Sequence, residues 1–77
     1  MRNKSYKTSD MWLAAALMAL GEEMVGLERG EGPRALFVFD FSQSTEMRVE
    51  EYKAGKLRIE PQKLFIQTKL LKGRLYD

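Results

Sequence analysis

The stretch DMWLAAALMALGEE, residues 10–23, sets ten consecutive apolar residues, Met11 to Leu20, in an otherwise polar chain of 77 residues. Its reading decides the fold. A bilayer-spanning helix needs about 20 apolar residues, so ten fall short. A signal-peptide core is the stronger rival, because Arg2, Lys4 and Lys7 precede the run. Asp10, set directly against the run, opposes it. Cleavage near Gly21 would also leave about 56 residues with no disulfide, below comfortable domain size. A buried helix accounts for every feature. Thr8 or Ser9 is expected to cap its first turn, Asp10 places negative charge there, and Gly21 ends it in the left-handed conformation. Leu13, Ala16, Leu17 and Leu20 recur at i, i+3, i+4 and i+7, while Met11, Ala15 and Met18 make the opposite side apolar as well. A helix apolar all round is buried on more than one side. It is expected to be the central helix, or half core and half interface.

The rest of the chain arranges itself around that helix. EEMVGLE (22–28) reads as a strand with Val25 and Leu27 on one face, and the Gly- and Pro-rich RGEGPR (29–34) as a turn. In ALFVFDF (35–41), Ala35, Phe37, Phe39 and Phe41 alternate onto one side, the mark of a core-facing strand. These two strands are expected to pair as a hairpin, residues 35–41 against 23–29, with the Phe side facing the first helix. Ser42 then caps a second helix that Gly55 closes, with Thr45, Val49 and Tyr52 inward and Glu46, Glu50 and Glu51 in water. KLRIE (56–60) reads as a short edge strand, Leu57 and Ile59 inward. Pro61 opens a third helix at its favoured first-turn position. Leu64, Phe65, Thr68, Leu71 and Leu75 form its core face, and Ile66 and Leu70 are left pointing away. The expected order is α-β-β-α-β-α. That makes an α+β domain over residues 1–77, its small antiparallel sheet (hairpin plus edge strand) packed by helices, with residues 1–6 flexible.

Composition narrows the chemistry. The chain has no Cys and no His, which removes disulfides, thiolate metal sites and the common His-based acid–base mechanisms. A core this small supplies about 3–5 kcal/mol of net stability without a staple, so self-association is a natural supplement. Charge is polarised along the chain: residues 1–9 carry +3, residues 10–52 carry −6 and residues 53–77 carry +5. Such polarity can guide a basic surface to phosphate, or pair one copy's ends with another's middle.

Candidate catalytic groups read better as structure. Glu51-Tyr52-Lys53 matches half of a metal-dependent nuclease signature, but that chemistry needs Glu and Lys on one strand face beside another acid. On a helix, i and i+2 diverge. Asp40 reads as a strand end that helps cap the next helix, Asp10 as a helix start, and GEGPR as a hairpin turn rather than a phosphate cradle.

YKTSD, LAAAL, Gly21, VGLER, LFVFD, VEEYKAGKLRIEP and LKGRLY together resemble a small domain family of unknown function, common in bacteria and their phages. The resemblance runs from about residue 6 to residue 76. It implies the fold order above and a phage or prophage setting in the bacterial cytoplasm, and it brings no activity and no catalytic residues.

The expectation is a non-enzymatic binding domain with no cofactor, no metal and no membrane association. Met11, Ala15, Met18, Ile66 and Leu70 are the candidate protein interface, serving a homo-oligomer or another protein. The alternative is an accessory nucleic-acid module built on Lys53, Lys56, Arg58, Lys63, Lys69, Lys72, Arg74 and Tyr76. Lys63 and Arg74 share one side of the third helix, and Lys69 and Lys72 another.

Overall fold

Ala35–Asp40 is the most apolar strand of the chain and lies between two others, hydrogen-bonded on both edges. The computed structural model describes residues 4–29 and 35–75. These run β1 (Ser5–Thr8), α1 (Met11–Ala19), β2 (Met24–Arg29), β3 (Ala35–Asp40), α2 (Gln43–Lys53) and α3 (Pro61–Leu75). The fold is α+β, with a three-stranded antiparallel sheet in the order β1-β3-β2. The β2–β3 pairing is the one expected. The third strand is not.

The segment 56–60 forms no strand; Ser5–Thr8 takes the free edge of β3, Tyr6 opposite Phe39 and Thr8 opposite Phe37. Residues 5 and 6, expected to be flexible, are therefore part of the sheet. The reason lies in what flanks 56–60. Gly55 closes α2 at φ +73°, with Lys56 N–H donating to the Glu51 carbonyl and Gly55 N–H to that of Tyr52. Glu60 caps α3, its carboxylate accepting from Lys63 N–H at 2.9 Å. Both helices pack on α1, so the short connector stays in the helical layer and cannot reach a sheet edge. Leu57 and Ile59 are half-buried there.

A second difference lies in β2. Met24 pairs with Phe39, Gly26 with Val38 and Leu27 with Phe37, so Val25 is the extra residue of a bulge. The bulge shifts the alternation by one. Met24 and Leu27 pack on the core, and Val25, expected inward, is 51% exposed. On the outer face of the sheet Lys7 and Glu28, from the strands on either side of β3, meet at 3.0 Å across it. Phe37 and Phe39 are core residues, whereas Phe41 lies past the strand, half-buried, its ring stacked on Tyr6.

α1 is capped by Asp10, whose Oδ1 accepts from Trp12 N–H at 2.9 Å and Leu13 N–H at 3.3 Å. Thr8, an expected cap, is held in β1 and accepts from Asp10 N–H instead. Gly21 ends the helix at φ +100°, with Glu22 N–H donating back to the Leu17 carbonyl. Leu13 to Leu17 are all buried, because α1 packs against the sheet, α2 and α3. It is the central helix. Ser42 caps α2 as expected, and Thr45 and Val49 are buried beneath it.

Candidate functional site

α3 turns one narrow line inward: Thr68 and Leu71 are buried, and Leu64 and Leu75 pack against the core. The spacing is i, i+4, i+7 and i+11, a seam rather than a broad face. Phe65, expected on that line, falls outside it and is 63% exposed. Its ring is covered on one side by Lys69, whose Nζ lies 5.2 Å from the ring centroid. Ile66 and Leu70, one turn apart on the opposite side of the helix, are 54% and 55% exposed. Three large apolar side chains of one helix thus face outward.

The interface residues expected on α1 fare differently. Ala15 is fully buried in the core and offers no surface. Met11 and Met18 are half-buried and pack on the core edge. Met18 and Leu70 do come together. With Met24 and Leu71 they line a groove of about 610 Å³, which carries Glu22, Glu23 and Arg74 as charged members.

Lys53, Lys56, Arg58, Lys63, Lys69, Lys72 and Arg74 are all exposed. Among the described residues the ion pairs are Lys7–Glu28 and Arg48–Glu22, and none of these seven cations pairs with a carboxylate of those residues. Tyr76 lies outside the described residues, as does the GEGPR loop. On α3 the cations are divided: Lys63 and Arg74 border one side of the Ile66–Leu70 pair, and Lys69 and Lys72 the other. The outer face is an apolar strip edged by positive charge on both sides. α3 carries no acidic residue at all.

Two polar clusters lie elsewhere, and both do structural work. Glu22 accepts from Ser44 Oγ at 2.8 Å and Thr45 Oγ at 2.9 Å, and its carboxylate stands 3.4 Å from Arg48 Nε. Arg48 also donates to the Leu20 carbonyl at 2.6 Å, so the end of α1 is tied to the start of α2. No sequence pattern announces this contact between residues 22 and 48. Tyr52 donates to Asp10 Oδ2 at 3.0 Å, joining α2 to the cap of α1. Burial, then the bond to Asp10 and its charge, raise the Tyr52 phenol above its usual value. Burial and the Asp10 charge do the same to Tyr6. Asp40 and Glu51 are exposed, on β3 and α2 respectively. Among the described residues no three His, Cys, Asp or Glu side chains gather as metal ligands would.

The chain matches no protein-family model, no curated protein and no solved structure. No helix among the described residues is long and apolar enough to cross a membrane.

The reading of the sequence missed Phe65 and the exposed Met47 of α2, which is 58% exposed. For Met47 the signal was present: Gln43, Glu46, Glu50 and Glu51 surround it on a helical projection, a polar setting that places it in water.

Proposed function

We propose that this is a non-enzymatic protein-binding domain whose docking surface is the outer face of α3, and that the partner is a second copy of the chain. One observation carries the reading: Ile66 and Leu70 stand one turn apart on the outside of one helix, each more than half exposed, and Phe65 adds a third exposed apolar side chain on the Lys69 side. Large apolar side chains clustered on a soluble surface are costly unless something covers them. The composition supports self-association, since a 77-residue chain without Cys has no internal staple. The missing Cys also supports the reducing cytoplasm of a bacterial or phage-infected host as its location.

The alternative, nucleic acid, draws on the seven exposed cations. On α3 an apolar strip separates them, and laying Ile66 and Leu70 against a phosphate backbone would bury them without apolar contact. The partition of charge therefore favours a protein.

Sedimentation of the wild type across about 10–100 µM tests the reading. The expected result is concentration-dependent association, lost in Leu70→Lys with the circular dichroism spectrum unchanged. A wild type that stays monomeric overturns it. Tight, salt-sensitive binding to single- or double-stranded DNA at ~50 mM salt by that monomer would install the alternative.

A further inference from the structure

Resting on that reading, we propose that α3 of one copy docks on α2 of the other, and α2 of the first on α3 of the second, about a two-fold axis. Charge chooses between the arrangements. An α3–α3 contact would set Lys63, Lys69, Lys72 and Arg74 of one copy against the same four of the next, with no acidic residue on either helix to answer them. Like charges brought together across an interface select against that pairing.

The outer face of α2 is the complement. Met47 stands 58% exposed at its centre, Glu46 precedes it, and Glu50 and Glu51 follow one turn on. All three carboxylates are exposed, and none has a salt-bridge partner among the described residues. An apolar strip edged by cations on α3 thus has its counterpart in Met47, with Glu46 and Glu50 on one flank and Glu51 on the other, where Met47 and Glu51 share a groove with Arg48, Lys56 and Arg58. Apolar seams with opposite charges at their flanks are how paired helices select partner and register.

Size points to reciprocity. α2 has 11 residues and α3 has 15, and each presents only its outer half. One such contact is small beside the roughly 20–30 residues a side of a stable interface. A two-fold axis doubles it and closes the assembly, whereas a single α2–α3 contact repeated head to tail would go on adding copies. Met47 suits the position, since its thioether adapts to the ridge that Ile66 and Leu70 present.

Charge reversal in two variants tests the pairing. Glu46→Lys with Glu50→Lys makes α2 basic, and Lys63→Glu with Lys69→Glu and Lys72→Glu makes α3 acidic. Each variant alone should dimerise about tenfold more weakly than the wild type, since both of its contacts become like-charged. Mixed, they form a heterodimer in which both contacts are oppositely charged: the basic α2 of one variant faces the acidic α3 of the other, the two unchanged helices face each other as in the wild type, and the mixture recovers association that neither component shows. An α3–α3 dimer gives the opposite pattern. The α2 variant would then associate as the wild type does, and the mixture would recover nothing through α2. That result overturns the pairing while leaving α3 as the docking surface. A wild type with no self-association overturns both.

Discussion

α1 and α3 both carry more apolar surface than one core face requires, and they dispose of it in opposite ways. α1 buries every residue from Leu13 to Leu17 and leaves Trp12 as its one largely exposed large side chain. Three of those five are Ala, so neighbours can approach closely on several sides. α3 buries a single line and leaves Phe65, Ile66 and Leu70 in water. Apolar residues on two sides of a helix therefore state only that two sides need cover. Position in the chain's own packing decides who covers them. The place between the sheet and the other two helices has room for one helix, and the small residues of α1 claim it.

The contrast can be broken most forcefully at the floor on which α1 rests. Phe39 is fully buried in the cluster with Leu13 and Leu17, and Phe39→Ala should cost about 3–5 kcal/mol through lost transfer energy and the cavity left behind. A loss below about 1 kcal/mol on denaturant melting would show that the sheet is not what centres α1.

A smaller and more pointed pair of changes adds bulk to each helix. Ala15→Leu pushes three extra carbons into filled space and should destabilise by about 1–3 kcal/mol. Gly73→Ala on α3 has the opposite sign. A Cβ there meets nothing within 4 Å, and φ is not in the left-handed region, so the better helix former should stabilise by about 0.5–1 kcal/mol. Urea melts of the two variants side by side measure the difference; equal effects would mean that α1 is no more enclosed than α3.

The smallest effect concerns the link from α1 to α2. Tyr52→Phe removes the bond to Asp10 and should cost about 0.5–1 kcal/mol at neutral pH. Because the folded-state phenol is raised above the ordinary 10.0, its contribution is complete below that value and is lost as pH rises through the higher folded one. Wild-type stability should therefore fall above about pH 10, and the fall should be shallower in Tyr52→Phe. Tyr6, raised for similar reasons, keeps part of it. Thermal melts between about pH 8 and 11 check the slope.

Local chemistry was the legible part of the fold. Gly21, Ser42, Gly55 and Pro61 mark helix ends through bonds that reach only a few residues, and each stands where its pattern indicates. β1 was illegible because SYKT has one large apolar side chain and its partner strand lies far along the chain. KLRIE misled because its alternation is real. Leu57 and Ile59 are turned inward, but from a connector without a strand to pair with. The bulge at Val25 leaves no trace in the letters, since one unpaired residue reverses every side after it. At the candidate site, Ile66 and Leu70 were legible from helical spacing alone. Ala15 was not, because periodicity records how many sides are apolar and not how many neighbours arrive.

The pairing of β1 with β3 has a consequence in time. β2 and β3 adjoin in the chain and can find each other early, whereas β1 must close a loop that contains α1 and β2 before Ser5 reaches Asp40. Of these three strands, the earliest in the chain is thus expected to be the last to dock. Until it does, one whole edge of β3 stays open beside the most apolar helix of the chain. That interval, rather than the finished molecule, is when a nascent chain of this kind is most exposed to wrong partners.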